Sequence, residues 1–280
     1  LAAPPTAATL HLGAGNDTLI LGDFANTVTV SNVETITGGT DDDRLVLAAQ
    51  VSRTAIDLGT GDDVVFFADA INTASVANVE TVVGGSTSDL VPISNQATGI
   101  VVDLAGGTDQ LTLRAYVNTV TVFGTETVVG GASADTVTLG STVTGATLSL
   151  GAGGDTVVFD DTGATVTLSG VETVTGGDAD DLVTLGAQAT AAEISLGDGH
   201  DRLVLAAAVN TVTVSDVEAI TGGASADTVT LATQATDATI DLGGGSDKLI
   251  LGDFDNTVSL TATESVVGGT ADDIIVFTSQ

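Results

Sequence analysis

The chain has 280 residues, of which 37 are acidic and 5 basic, giving a formal charge of -32, with 43% hydrophobic residues, 35 glycines and no cysteine. Charge of that sign and size disfavours nucleic acid and anionic membranes as partners, and Val, Leu and Ile recurring at strand spacing are foreign to a disordered acidic tail. With no cysteine and only His11 and His200, zinc, copper and iron sites have little support. No stretch approaches about 18 uninterrupted apolar residues, so no membrane insertion is expected. The opening LAAPPTAATL has neither a charged leader nor a long apolar run; without an initiating Met it reads as part of a larger or processed protein.

Three acidic positions keep one beat of 46 residues along the chain: Glu34, Glu80, Glu126, Glu172, Glu218 and Glu264; Asp17, Asp63, Asp109, Asp155, Asp201 and Asp247; and Asp43, Asp89, Asp135, Asp181, Asp227 and Asp273. A register held this long predicts a stacked solenoid, read as one continuous domain over 1–280. The first turn is Leu12-Gly13-Ala14-Gly15-Asn16-Asp17, of the form L-G-x-G-x-D, and a return through Asn26–Asn32 leads to Val33-Glu34-Thr35-Ile36. A second turn, GG-x-x-x-D, follows at Gly38–Asp43, and Leu45 and Leu47 after it alternate as a strand with one face inward. Ile56 and Leu58 then lead into the next L-G-x-G-x-D turn, Leu58–Asp63, followed by Val65 and Phe67, and the sequence repeats. Glycine pairs interrupt every helical run, and Val, Thr and Ile dominate, which favours strands. The fold expected is therefore all-β, a parallel β-solenoid.

Turn aspartates alternate at spacings of 20 and 26 residues. A coil of about 20 residues holds two short strands and two turns, so two coils per repeat and about twelve coils overall are favoured, with the glycine-aspartate turns along one edge. Six larger coils, with the two turn types on separate edges, are the alternative.

Glycine-rich turns expose backbone carbonyls, and an aspartate in each adds a hard anionic oxygen, a donor set suited to calcium. Here the chain resembles the RTX (repeats-in-toxin) family of secreted calcium-binding β-rolls, whose nonapeptide is GGxGxDxUx. Gly38-Gly39-Thr40-Asp41-Asp42-Asp43-Arg44-Leu45-Val46 fits except at Asp41, which stands in place of the later glycine; Gly222–Thr230 departs similarly, and Leu150-Gly151-Ala152-Gly153-Gly154-Asp155-Thr156-Val157 restores that glycine but begins with leucine. The resemblance implies a right-handed β-roll and multiple calcium ions held by Asp17, Asp43, Asp63, Asp89, Asp109, Asp135, Asp155, Asp181, Asp201, Asp227, Asp247 and Asp273. Asp41, Asp42, Asp62 and Asp272 are auxiliary carboxylates, and a solvated ladder of turn aspartates is the plain alternative. The glutamates are read first as structural, sitting at a bend and accepting backbone N–H bonds, with an exposed charge ladder or extra metal ligands as alternatives.

No nucleophile elbow, phosphate loop or H-E-x-x-H motif occurs, so the chain is not expected to be an enzyme. The function expected is a calcium-stabilised extracellular or cell-surface repeat segment, as in a surface layer (S-layer), adhesin stalk or secreted repeat protein. The alternative is a C-terminal folding and secretion module of a secreted enzyme. Alternating threonines such as Thr136/Thr138 and Thr228/Thr230 raise ice binding as a minor alternative, weakened by Arg44/Val46, Val64/Phe66, Leu90/Pro92 and Lys248/Ile250 at the corresponding positions. Val46, Phe66, Val158, Val204, Ile250 and Val276 suggest an apolar outward stripe. Self-association or neighbouring repeat domains are therefore expected through that strand face or through open ends.

Overall fold

The computed structural model describes residues 7–279; the leader reading falls largely on residues 1–6, which lie outside them. Thirty strands of three to eight residues are found among the described residues, in a parallel β-solenoid of about 14–15 turns with two strands per turn. Contacts divide the chain into two units, Leu1–Val137 and Thr138–Gln280. No helix among the described residues is long and apolar enough to cross a membrane.

One repeat of the first unit shows the construction. Its five strands are Arg44–Leu47, Ser52–Gly59, Val64–Phe66, Thr73–Ala77 and Thr81–Val83, and the next repeat opens with Leu90–Pro92. The first, third and fifth pair in parallel in one sheet, with Leu45, Val65 and Val82 in register. The second, fourth and sixth form the other sheet, where Ile56 sits beside Val76. Five strands make two and a half coils. Leu90–Pro92, one repeat after Arg44–Leu47, therefore lies on the opposite sheet. Small coils hold and the six-coil alternative fails, but the repeat contains a half-coil beyond the two expected. The extra bend is the three-residue Asn78–Glu80, shorter than any turn recognised from the glycine-aspartate signal.

Alternation fills the core. Leu45, Val65, Val76, Val82, Leu104, Leu111, Leu148, Leu150 and Ile240 are fully buried, each one of an inward column of branched aliphatics between the two sheets. Outward residues on the same strands are half-buried or exposed, so a one-residue slip would reverse both faces. The two glycine turns use glycine differently. Gly59 has φ +96° and Gly61 +147°, conformations that side chains rarely adopt, whereas a Cβ on Gly38 would stand 2.1 Å from the Leu58 carbonyl oxygen of the adjacent coil.

Half-coil alternation also splits the expected apolar stripe. Val46 and Phe66 lie on one sheet of the first unit, and the Arg44 guanidinium covers Phe66 at 4.3 Å from the ring centroid. In the second unit Ile250 and Val204 are on different sheets, paired with Thr230 and Thr184 respectively. The same effect changes the threonine comparison, because true neighbours on a sheet are 17 or 20 residues apart: Thr173 lies beside Glu193, and Glu193 beside Thr213.

Candidate metal centre

Each strand of a coil is entered from a turn, and the residue just before it has a backbone N–H facing the next coil before strand pairing begins. Such a buried donor needs an acceptor. Side chains supply it in a fixed order. In the first unit the Asn26 N–H donates to Asp43 Oδ1 at 2.9 Å, Asp43 N–H to Asp63 Oδ1 at 2.6 Å and Asp63 N–H to Glu80 Oε2 at 2.8 Å. On the opposite edge Asn72 donates to Asp89 at 3.0 Å, Asp89 to Asp109 at 2.6 Å and Asp109 to Glu126 at 2.8 Å. The second unit repeats the order through Asn210, Asp227, Asp247 and Glu264 at 2.9, 2.7 and 2.7 Å. Its other edge runs Ala164, Asp181, Asp201 and Glu218 at 2.6, 2.7 and 2.8 Å.

The twelve motif aspartates thus sit at equivalent strand entries. Asp43, Asp63, Asp89, Asp109, Asp135, Asp155, Asp181, Asp201, Asp227 and Asp247 are all buried, and Asp17 and Asp273 are half-buried. They are not a solvated ladder. The glutamates have the structural role expected first: Glu34, Glu80, Glu126, Glu172, Glu218 and Glu264 each accept the N–H of the motif aspartate 17 residues earlier, between 2.7 and 2.9 Å.

Glycine-aspartate turns stack in pairs. Gly39 is in register with Gly59, Asp62 N–H donates to Asp42 Oδ1 at 2.8 Å, and Thr60 Oγ1 reaches the Thr40 carbonyl at 3.2 Å. Gly106 likewise donates to the Gly85 carbonyl at 3.2 Å, Asp198 to Gly177 at 3.1 Å and Gly244 to Gly223 at 2.8 Å. Within the first unit the Asp43/Asp63 pair and the Asp89/Asp109 pair occupy opposite edges, as do Asp181/Asp201 and Asp227/Asp247 within the second. The single continuous turn edge expected from the sequence is absent within each unit, because half-coil repeats send every second pair across the solenoid.

This arrangement strains the carboxylates. Burial pushes Asp63 and Asp109 up to about 6 and Asp201 to about 7, aided by neighbouring carboxylates and opposed by the backbone N–H each accepts. Asp181 and Asp247 are raised by the same burial. The second oxygens of Asp43, Asp63, Asp109, Asp201, Asp227 and Asp247 are buried and accept no hydrogen bond. Asp89 shows where such an oxygen faces: its Oδ2 is approached at 3.4 Å by Gly85 N–H of its own turn. Hard anionic oxygens lacking partners inside glycine turns fit calcium chemistry. No group of three or more His, Asp or Glu side chains that could hold a metal is formed among the described residues, so backbone carbonyls would have to supply most of any shell. Of the auxiliary carboxylates, that of Asp42 is engaged in part, accepting the Asp62 N–H. His11 contacts Ser31, and His200 is exposed with its backbone N–H on Asp180.

Sequence reasoning missed the asparagines. Asn26, Asn72, Asn118, Asn210 and Asn256 hold the same 46-residue beat or its double, and each binds its own turn. Asn118 Nδ2, for example, donates to the Arg114 and Tyr116 carbonyls at 2.9 and 2.8 Å and to Asp135 Oδ1 at 2.7 Å. Their recurrence was visible, but no metal or catalytic chemistry drew attention to it.

No protein-family model matches the chain, and no curated protein matches it. Among solved structures it is similar to a hyperactive, Ca2+-dependent, β-helical antifreeze protein from an Antarctic bacterium, at 22% identity over 91% of this chain and 84% of that one. The TM-score is 0.28, so the architecture described above stands on its own strand pairing.

Proposed function

We propose that this chain is a non-catalytic structural segment of an extracellular or cell-surface repeat protein, stiffened by calcium at its paired glycine-aspartate turns. The observation that supports the reading is the buried, unpartnered Oδ2 of Asp43, Asp63, Asp109, Asp201, Asp227 and Asp247, in a chain with 37 acidic and 5 basic residues. Bound calcium would supply the missing positive charge there. The holders proposed are the motif aspartates Asp17, Asp43, Asp63, Asp89, Asp109, Asp135, Asp155, Asp181, Asp201, Asp227, Asp247 and Asp273, with turn carbonyls. Sites so poor in carboxylates belong with weak extracellular calcium modules, with dissociation constants on the order of 10⁻⁴–10⁻³ M. Cells that keep calcium low would leave them empty, and an extracellular setting would fill them.

Calcium titrated into the chelated chain should raise its melting temperature and release heat, with the β signal of circular dichroism retained or strengthened. An unchanged melting temperature and no binding heat at 10 mM calcium, about ten times the weak end of that range, would overturn the calcium reading.

A further inference from the structure

A further feature keeps the 46-residue beat, and nothing in the metal reading uses it. The turn before each asparagine carries an apolar tip: Phe24, Ile71, Tyr116 with Val117, Val209 and Phe254, between 40 and 61% exposed. The equivalent turn Asp160–Ala164 lacks both the asparagine and the apolar tip, and closes instead on Asp160, whose Oδ1 accepts Thr162 N–H at 3.1 Å. At the asparagine turns the exposed apolar side chain stands on a backbone pinned by the asparagine. At Tyr116 the pinning is double, since Asn118 binds the turn from below and Gln96 Nε2 of the adjacent coil donates to the Val117 carbonyl at 2.8 Å. A side chain held out on a rigid turn loses little freedom when it docks.

A groove recurs on the same beat. In the first unit it lies between Asn78–Glu80 and the turn around Asn95, has a volume of about 120 Å³ and is lined by polar Asn78, Glu80, Asn95, Gln96 and Thr98 over the buried Val79, Ile93 and Ile100. In the second unit the equivalent groove, with Ala238 in place of Ile100, holds about 230 Å³. Both exist because no acidic ladder residue follows the glutamate, and a short bend there faces a longer turn. The first-unit groove and the Tyr116 tip share one edge and are neighbours along it, since both lie where the chain crosses from the same sheet to the other. Glu80 is exposed at the groove, and Arg114, one of five basic residues in the chain, is exposed beside the tip.

We propose that this edge of the first unit is a self-association surface, at which Tyr116 and Val117 of one copy enter the groove beside Glu80 of a second copy, with Arg114 facing Glu80. Tip and groove on one edge suit a two-fold axis near Asn95, which makes the contact reciprocal and closed. Opposite charges at the two ends reduce the repulsion between two strongly acidic chains. The contact is narrow, below the roughly 800 Å² per partner of a stable dimer, so one contact alone gives weak association. The inference rests on the structural-segment reading but not on calcium.

Sedimentation velocity over about 10 μM to 1 mM, a range set by that weak-interface expectation, tests it on the full chain in calcium and in chelator, with circular dichroism on the same samples. The wild type should shift towards dimer with concentration. Tyr116→Ser with Val117→Ser, and separately Arg114→Glu, should each weaken dimerisation about tenfold, equivalent to about 1.4 kcal/mol, while the spectrum and melting temperature stay as in wild type. A wild type monomeric throughout, or variants that associate like it, would overturn the interface. Association lost in the variants of a chain whose fold ignores calcium would keep the interface and remove the calcium reading instead.

Discussion

Acidifying the metal-free chain should stabilise it, the reverse of ordinary acid denaturation. Asp63 and Asp109 are raised to about 6 and Asp201 to about 7 in the folded chain, against an unfolded value near 4. The folded state therefore holds more protons between these values. This stabilisation is fully present below about pH 4 and is lost as pH rises through about 6 to 7. Two to three pH units at about 1.4 kcal/mol each give about 3–4 kcal/mol per group, which solvent screening and shared neighbours reduce to about 1–1.5 kcal/mol. For the three groups together this is about 4 kcal/mol, or about 7 °C in melting temperature for a chain of this size. Thermal melts in chelator at pH 7.5, 6.0 and 5.0 measure it. Bound calcium should flatten the same series, since it holds the carboxylates ionised. Asp201→Asn separates the ladder from the general relief of negative charge, because asparagine already occupies ladder positions at Asn26, Asn72 and Asn210. That variant should be more stable than wild type at pH 7.5 in chelator and show a shallower pH slope. A melting temperature that falls steadily from pH 7.5 to 5.0 would refute the reasoning, as would an Asp201→Asn chain with the full wild-type slope.

Glu126→Ala should cost about 1–3 kcal/mol by leaving the Asp109 N–H without its acceptor, whereas Glu126→Gln keeps an acceptor and should recover most of it in chemical denaturation. Gly145 has φ +79° with open space around a new Cβ; Gly145→Ala should cost only the backbone strain, about 1 kcal/mol. Gly59→Ala adds a contact of 2.1 Å with the Gly39 carbonyl oxygen, so its melting temperature should fall well below that of Gly145→Ala. Leu150→Ala removes a fully buried side chain from the inner column and should cost about 3–5 kcal/mol, read from the denaturation midpoint.

Much of the fold was legible because a parallel solenoid writes its geometry in one dimension. Leu45, Val65 and Val137 recur at period two within their strands, and all three are buried. The half-coil was not legible, because the glycine-aspartate signal marks only two of five bends per repeat. Asn78–Glu80 turns the chain through a left-handed Asn78, φ 50°, in place of a glycine, and nothing in composition separates it from the strand it follows. The error spread from there: threonines and valines compared at 46 residues were compared across opposite sheets. At the candidate site the recurrence of the turn aspartates was legible, and the hydrogen bond each makes to the adjacent coil was not. Asp43 and Asp63 were chosen as anionic oxygens for an ion, yet one oxygen of Asp63 holds the Asp43 N–H. Sequence shows which side chain recurs; which of its atoms is already engaged depends on the adjacent coil, 17 or 20 residues away.

The half-coil repeat makes a demanding prediction about deletions. Within a unit, successive repeats are related by a half-turn about the solenoid axis, so each repeat meets the same neighbour whichever sheet its strands join. Removing 83–128, one 46-residue period within the first unit, joins Val82 to Val129, which occupies the place of Val83 one repeat later. The downstream strands of the unit then change sheet, yet the ladder order of Asp, Asp, Glu is kept and each inward residue stays inward. In a nearest-neighbour stack the shortened chain should lose only about its share of the total stability. Removing 83–102, which spans one 20-residue step of the register, leaves the strands on their original sheets but sets Thr81-Val82 directly before Asp103. The Leu90–Pro92 strand is lost, Asp109 comes to the place of Asp89 with the ladder one aspartate short, and the deleted Asn95 and Ala97 leave Asn78 and the buried Oδ1 of Asn118 without their partners. The shorter deletion should therefore destabilise more than the longer one, by several kcal/mol for the broken ladder and the orphaned buried groups. Urea denaturation of the two variants decides it. If the 46-residue deletion is the less stable of the two, the half-turn relation between repeats is wrong.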